Sequence, residues 1–427
     1  MQAREDFNPY KGNLLVEPLG PIPARKELLQ RLTSRPPAPR DVAKVPRHIR
    51  AHLLMDIPTL HVPSPEGVRV AESIDLMLRQ GYRFRDPVAA ETWRTISHEP
   101  GVSSSTRTPT MAAVVVGHSG VGKTEAIRRA LEAYGPQVRR HESFPRLVGA
   151  HHQMLWLSVL APESGRLTDL AANLMSEWDL AFEKCTSGLS PRFASTLARE
   201  RRDGGRMLDE WRQVAITHFL GLLHIDEVQN FFRLPTLAQR RKPAARAGDD
   251  SVELSLIEDQ VLKAILNLMN RWQIPLLVSG TPDGVAALFK RLSNAQRFST
   301  MGHHRIELFH AANDPTCKMY LDQLCKYQYL GKPLVPDESF GDVMLELSAG
   351  VRRLMSALWV AGQRIALERT DDTFRMDDIH RAARTYLAPV GPAVAALRSG
   401  DPNLMRRYED LVPRDSDFWN HYWRPAS

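Results

Sequence analysis

The sequence has few of the features that are typical of a membrane protein, a secreted protein or a zinc-binding protein. Only three of its 427 residues are cysteine (Cys185, Cys317 and Cys325), and they form no CxxC pair. No apolar run approaches the roughly 18–20 residues of a membrane span, and the charged N-terminus lacks the apolar segment of a signal peptide. We therefore expect a reduced, cytoplasmic chain with no structural zinc site and no membrane partner.

The chain also lacks the low hydrophobic content of a disordered protein. Hydrophobic residues make up 43% of it, charged residues 25% and aromatic residues 7%, as in ordinary globular domains. The formal net charge is +7 and the isoelectric point is about 9.4. This balance favours an anionic partner such as nucleic acid. Many basic proteins bind no nucleic acid, however, so charge alone leaves the question open.

Residues 1–108 are expected to form an N-terminal region that is partly extended and partly helical. Its first 50 residues are rich in proline and arginine, which predicts an extended arm with one short helix around Lys26–Leu32. The arm is either a disordered leader or a binding segment. The pattern becomes helical from Gly67 to Ile96, with a first helix ending at Gly81 and a second beginning at Pro87. The first helix is expected to group Val70, Ile74, Leu76, Met77 and Leu78 on one face.

Residues 109–311 alternate short apolar runs with helical stretches, which predicts an α/β domain with a parallel sheet covered on both faces. The runs are AAVVVG, QMLWLSVL, GLLHIDE, PLLVSG and HRIELFHA. Residues 312–390 have a helical pattern and are expected to form a helical lid. Residues 391–427 are a C-terminal tail whose aromatic residues either pack on this chain or anchor a partner. These residues are Phe418, Trp419, Tyr422 and Trp423.

A phosphate-binding loop follows the first apolar run. The segment GHSGVGKT satisfies GxxxxGK[ST] and lies between a predicted strand and a predicted helix, which is the context that this motif requires. Its glycines let backbone N–H groups surround phosphates, and the helix N-terminus adds partial positive charge. Lys123 would reach the β- and γ-phosphates, and the Thr124 hydroxyl would hold Mg²⁺. The candidate nucleotide-binding residues here are Gly117, His118, Ser119, Gly120, Val121, Gly122, Lys123 and Thr124.

An acidic pair ends the run GLLHIDE. Asp226 is expected to orient Mg²⁺ through its water shell, and Glu227 is placed to polarise the attacking water. A carboxylate at Glu227 predicts ATP hydrolysis and not only tight nucleotide binding. The run PLLVSG ends in two further polar residues, Ser279 and Thr281. Either could contact the γ-phosphate and the water, or the segment could be a plain strand-to-helix turn.

Three groups of arginines are candidates for phosphate or DNA contacts. Arg297, or second Arg291, could be donated to the nucleotide of a neighbouring subunit, or both could be ordinary surface arginines. Arg353, preferred to Arg352, could reach the nucleotide from the helical lid. A basic insertion after the acidic pair could meet DNA phosphates without base readout, or be a solvated loop. Its basic residues are Arg240, Arg241, Lys242 and Arg246.

The order of these motifs resembles that of an AAA+ P-loop ATPase of the initiator-like branch, and is most similar to the TnsC/TniB transposition regulators. The more specific cues are DEVQN and the SGTPDG turn with a downstream Arg-Phe, and the resemblance covers roughly residues 60–390. It implies a ring or filament of ATPase subunits on double-stranded DNA. It also implies recruitment of a DDE transposase to a target chosen by another protein, without cutting or joining DNA.

By matched position, the resemblance assigns ATP and Mg²⁺ to Lys123 and Thr124, Mg²⁺ and hydrolysis to Asp226 and Glu227, and the trans arginine to Arg297. Two other interpretations remain. One is a replication initiator or helicase loader, which shares the ATPase core; the tail lacks the paired strands of a winged-helix domain that would favour it. The other is a signalling ATPase that does not bind DNA.

Overall fold

The computed structural model describes residues 7–97, 111–185, 190–199, 203–231, 256–270, 273–289, 292–401 and Leu404. Contacts divide the chain into two compact units. The sheet unit comprises Met1–Arg25, Arg69–Val116 and Ile127–His304, and the lid unit comprises Lys26–Val68, Gly117–Ala126 and Arg305–Ser427.

A five-stranded sheet forms the centre of the sheet unit, in the order β4-β5-β6-β1-β7. Neighbours from β4 to β1 pair in parallel. The strands are β1 (Ala112–Val116), β4 (Trp156–Leu160), β5 (Leu222–Asp226), β6 (Leu276–Gly280) and β7 (His303–Arg305). Every residue of β1, β5 and β6 is buried, as expected of central strands that are covered on both faces. The carboxyl ends of these three strands therefore lie at one edge of the sheet.

Two strands form a separate antiparallel pair, β2 (Val138–His141) with β3 (His151–Met154). The run QMLWLSVL therefore contains parts of two strands, since β3 ends at Met154 and β4 begins at Trp156. The run HRIELFHA was expected to be a full strand, and this is wrong: β7 ends at Arg305.

The helices of the sheet unit cover the sheet and supply its core. They are α3 (Pro65–Phe84), α4 (Ala90–Ser97), α5 (Lys123–Glu132), α6 (Leu167–Cys185), α7 (Ala194–Leu197), α8 (Gly204–Thr217), α9 (Leu256–Asn270), α10 (Pro282–Leu288) and α11 (Leu292–Phe298). Two of these cross a unit boundary at their first residues, α3 and α5. The buried core joins Trp178 and Trp211 of α6 and α8 to strand residues such as Leu157 and Ile225.

Two helix-boundary predictions in this unit are wrong. Helix α3 continues through Gly81 to Phe84. Gly81 does not end the helix; it allows close packing against Pro275, since a Cβ there would lie 2.9 Å from Cγ of Pro275. Leu76 is 48% exposed and does not share the buried face with Ile74 and Met77. Helix α4 begins at Ala90, not at Pro87.

The lid unit has its own apolar core around Trp359, Met344 and Leu324. Its helices are α1 (Arg25–Leu32), α2 (Arg47–Leu53), α12 (Pro315–Leu324), α13 (Phe340–Ser348), α14 (Arg352–Leu367), α15 (Met376–Arg384) and α16 (Gly391–Ser399). Helix α1 confirms the predicted short helix in the arm. From residue 7 onward the arm is not a disordered leader, because Leu15 and Leu32 are buried.

None of the helices in the described ranges combines the length and the apolar character that a membrane crossing needs. The predicted aromatic residues of the tail, from Phe418 onward, lie outside the described residues. The domain boundaries expected from the sequence stay a prediction.

Candidate active site

The phosphate loop follows directly on β1 and leads into α5, as its motif predicts. Gly120 and Gly122 have φ of 79° and 101°, a region that residues with a Cβ rarely adopt. The Lys123 side chain is buried, and its Nζ donates hydrogen bonds to the carbonyl oxygens of Gly117 at 2.8 Å and His118 at 3.0 Å. The ammonium group is thus held within the loop whose backbone would surround phosphates.

Two glycines of the loop are required by close packing within the lid unit. A Cβ on Gly117 would lie 2.4 Å from the carbonyl oxygen of Ile306, and one on Gly120 would lie 2.9 Å from Cγ1 of Val351. The backbone N–H of Arg353 also donates to the carbonyl oxygen of Gly120 at 3.1 Å. The loop is therefore fixed by the main chain just after β7 and at the start of α14.

The loop has the groups that a nucleotide phosphate needs. A buried cation, left-handed glycines and the N-terminus of a ten-residue helix occur in consecutive residues. Thr124 at the start of α5 is exposed, so its hydroxyl lies at the surface of this unit. These observations fit the phosphate-binding role that the sequence predicts.

The acidic pair lies at the carboxyl end of β5, where Asp226 is buried and Glu227 is exposed. Oδ1 of Asp226 accepts hydrogen bonds from the Glu227 N–H at 2.9 Å and from the Ser279 hydroxyl at 2.5 Å. Glu227 has φ of 55°, which is uncommon for a residue with a side chain and is typical of functional sites. One carboxylate is thus fixed by hydrogen bonds, and the next projects from a strained backbone turn.

The two polar residues after β6 differ in what they contact. Ser279 is fully buried and bound to Asp226. Thr281 is 3% exposed, and its Oγ1 has no hydrogen-bond partner within the described chain. A buried hydroxyl without a partner is costly, so Thr281 is the better placed of the two to bind an incoming oxygen.

Gln229 is a site residue that the sequence analysis did not select. Its Oε1 accepts a hydrogen bond from the Thr281 N–H at 3.2 Å. Gly284 lies inside α10, and a Cβ there would lie 2.6 Å from Cβ of Gln229, so this glycine permits α10 to approach the segment Val228–Phe231. The sequence signal was the Gln within DEVQN, but its partner is more than 50 residues away in the chain.

His224 was also missed, because it stands in an apolar run where a histidine is most simply interpreted as a core residue. Its Nδ1 and Nε2 lie 2.8 Å from the hydroxyls of Ser158 and Ser279. Burial lowers the pKa of this histidine, and the nearby Asp226 carboxylate opposes that shift.

The lid arginines have separate environments. The guanidinium of Arg352 lies 4.7 Å from the ring centroid of Phe309, and burial lowers its pKa. Arg353 is exposed, and its Cβ would lie 3.2 Å from a Cβ on Gly120. The structure therefore places Arg353 beside the loop and directs Arg352 to an aromatic ring.

Of the other arginines and lysines predicted to contact phosphate or DNA, Arg297 alone lies among the described residues. Arg297 is exposed in the last turn of α11. Arg291 and the basic insertion with Arg240, Arg241, Lys242 and Arg246 lie outside the described residues. No group of three or more histidine, cysteine or acidic side chains with the arrangement of a metal site occurs in the part of the chain that the structure describes.

Residues 107–289 match the family model of the AAA domain. No curated protein matches the sequence. Among solved structures, the chain is similar to the Aeropyrum pernix Orc1 protein in complex with DNA. The sequence identity is 14%, the TM-score is 0.41, and the alignment covers 76% of this chain and 68% of that one. The AAA match and the strand order confirm the predicted AAA+ P-loop NTPase fold. Proteins with this fold generally hydrolyse nucleoside triphosphates.

Proposed function

We propose that this protein is an ATP-dependent, DNA-binding AAA+ regulator of DNA transposition. It oligomerises on duplex target DNA and recruits a DDE transposase to a site that a separate protein selects. The support is the AAA domain over residues 107–289, the order of motifs that resembles the TnsC/TniB regulators, and the net charge of +7.

The observation that carries the ATPase proposal is the arrangement at the end of β5. Asp226 accepts two hydrogen bonds that fix its carboxylate, and the adjacent Glu227 is exposed. We assign Lys123 to the nucleotide phosphates, and Thr124 and Asp226 to Mg²⁺, which prefers oxygen ligands and bound waters. Glu227 then acts as the base that orients the attacking water. Of the two polar residues after β6, Thr281 is assigned to the γ-phosphate, because the single hydroxyl proton of Ser279 is donated to Asp226.

Nucleotide state would control assembly. Arg297 is exposed at the end of α11 and is assigned to the nucleotide of a neighbouring subunit, where it stabilises phosphate charge. ATP therefore favours the assembled state, and loss of the γ-phosphate removes the contact to Arg297 and favours release. The basic insertion from Arg240 to Arg246 is assigned to the DNA phosphates, and Arg353 to the nucleotide from the lid.

The first experiment images the full chain on duplex DNA by negative-stain electron microscopy, with a non-hydrolysable ATP analogue, with ADP and without nucleotide. Rings or filaments on DNA only with the analogue are the expected result. Assemblies that form but never stimulate a DDE transposase would favour the replication-initiator or helicase-loader interpretation. A monomer that ignores DNA, with ATP turnover unchanged by DNA, would favour the signalling ATPase.

A second experiment tests the role of Glu227 as a timer. Glu227→Gln should reduce ATP hydrolysis about 100-fold or more and accumulate assemblies on DNA, because nucleotide still binds. Glu163→Gln, at another exposed glutamate in a loop of the sheet unit, is the matched control and should behave as wild type. Normal disassembly of Glu227→Gln complexes would contradict the timer.

A further inference from the structure

A chain of three hydrogen bonds, one partly buried and two buried, crosses three neighbouring strands and ends on the acidic pair. Ser158 of β4 lies directly opposite His224 of β5 in the parallel register. Ser158 Oγ is 2.8 Å from His224 Nδ1, His224 Nε2 is 2.8 Å from Ser279 Oγ, and Ser279 Oγ is 2.5 Å from Asp226 Oδ1. The order along this chain is therefore Ser158, His224, Ser279, Asp226.

The number of available protons sets the direction of each bond. An ionised carboxylate only accepts hydrogen bonds, so the single hydroxyl proton of Ser279 is donated to Asp226. Ser279 must then accept from its other neighbour, and the donor is Nε2–H of His224. In a neutral imidazole Nδ1 is consequently an acceptor, and it receives the hydroxyl proton of Ser158. One tautomer of His224 satisfies all three bonds.

The surroundings of His224 make a purely apolar residue the simpler choice for packing. Leu222, Leu223 and Ile225 of the same strand are fully buried, and His224 is 1% exposed. A buried imidazole destabilises the fold unless both ring nitrogens are hydrogen-bonded. The histidine is bonded at both, and one of its bonds leads to the hydroxyl that holds Asp226.

We propose that His224 is a positioning residue for ATP hydrolysis. Its Nε2–H directs the Ser279 hydroxyl proton onto Asp226 Oδ1, so that this carboxylate keeps one orientation while the Glu227 N–H holds the same oxygen. The inference rests on the proposed ATPase function, because Asp226 is the group that it orients. Ser158 acts at the far end of the chain and selects the tautomer.

The experiment measures steady-state ATP hydrolysis and binding of a fluorescent ATP analogue. His224→Leu removes both ring nitrogens at similar volume and should lower kcat about tenfold with KM changed less than about twofold. His224→Gln restores a donor near the position of Nε2 and should recover kcat to within about threefold of wild type. Rescue by Gln is not expected if the histidine only fills space.

A double-mutant cycle with Ser279→Ala separates action through Ser279 from a general effect. In the Ser279→Ala background, His224→Leu should cause no further loss of kcat, because the bond through which it acts is already absent. Multiplicative losses in the double variant would overturn the proposal. Equal rates of the wild type and His224→Leu would also overturn it, as would a change in KM alone.

A matched control uses a second buried Ser–His pair, which joins helix α3 to the edge strand β7. His304 of β7 is buried, and its Nε2 lies 2.9 Å from Ser73 Oγ. His304→Leu removes a comparable bond at the opposite edge of the sheet and should leave kcat unchanged. If His224→Leu does not fold, Ser158→Ala tests the chain from its far end, and kcat should fall about threefold with unchanged KM; an unchanged kcat would overturn the proposal.

The outcomes also distinguish this inference from the proposed function. A wild-type chain that hydrolyses no ATP with or without DNA would remove the proposed function itself. A wild-type chain that hydrolyses ATP and is impaired by Ser279→Ala, but not by His224→Leu, would leave the ATPase in place and remove only the role of His224.

Discussion

The phosphate loop and the acidic end of β5 are shaped by different parts of the chain. The loop is fixed by the main chain: Gly117 lies against the Ile306 carbonyl, and Gly120 accepts from the Arg353 N–H. The acidic end is fixed by side chains, since Ser279 and, through it, His224 hold Asp226. Adding a methyl group should therefore perturb the phosphate loop most, because its packing is backbone to backbone. Removing a polar atom should perturb the acidic end of β5 most, because side-chain hydrogen bonds hold it.

The largest expected effects separate binding from chemistry. Lys123→Ala should weaken binding of a fluorescent ATP analogue about 100-fold or more, because the buried cation of the loop is lost. Asp226→Asn should keep binding within about tenfold and lower kcat about 100-fold or more, because the carboxylate charge is lost and the fold is kept. Equal losses of binding in the two variants would break the distinction between the two regions.

The next effect is on stability and tests the backbone-built loop. Gly117→Ala should lower the free energy of unfolding by about 1–3 kcal/mol, because the new Cβ would lie 2.4 Å from the Ile306 carbonyl oxygen. Gly391→Ala is the matched control in the same unit, since nothing lies within 4 Å of a Cβ there. Urea unfolding of both variants checks the prediction, and a similar midpoint shift in the two would contradict it.

Burial lowers the pKa of several histidines of the sheet unit, and this should make its stability depend on pH. Burial lowers the pKa of His218 to about 4, with further lowering by His151, His152 and Arg192. The unfolded chain has an ordinary value of about 6.5. The unfolded state therefore takes up the proton first, and stability is full above about pH 6.5 and is lost as the pH falls toward 4.

Between pH 7 and pH 5 the loss from His218 should be about 2 kcal/mol. His218→Asn keeps a donor near Nδ1 for the carbonyl oxygen of His152, which Nδ1 now contacts at 2.7 Å, but does not titrate. Thermal unfolding at both pH values checks this prediction. The drop in Tm should be smaller in His218→Asn than in the wild type, and an identical drop would show that other groups dominate.

The smallest effect concerns the two lid arginines. Arg353→Ala should raise the KM for ATP about fivefold with little change in Tm, since the side chain is exposed beside Gly120. Arg352→Ala should leave KM unchanged and lower stability by about 1–2 kcal/mol, because its cation–π contact with Phe309 is lost. Reversed phenotypes would assign the nucleotide contact to Arg352.

The sequence predicts the loop well because its information is local. Eight consecutive residues carry the glycines, the lysine and the threonine, and the flanking apolar run and helix confirm the context. The same holds for β1, β5 and β6, whose continuous apolar runs are typical of central strands. The AAA+ core could therefore be predicted from short patterns alone.

The side-chain-built region could be predicted only in part. Asp226 and Ser279 were selected one by one, but their hydrogen bond joins residues 53 positions apart. The pair Ser158 and His224 is 66 positions apart, and its register depends on which strands become neighbours. Gly81 was misjudged for a similar reason, since its environment depends on packing against Pro275, which is distant in the chain. Leu76 was misjudged for a different reason: six residues after Val70, it lies off the apolar face by helical periodicity itself.

The hydrogen bond from the Arg353 N–H to the Gly120 carbonyl makes one backbone amide a reporter on the phosphate loop. An amide exchanges its hydrogen with solvent only when its bond opens. Its exchange rate therefore measures how often loop and helix α14 separate. Any ligand that stiffens the loop must slow deuterium uptake at that amide. The first turn of α14 thus offers a label-free readout of nucleotide occupancy that needs no catalytic turnover.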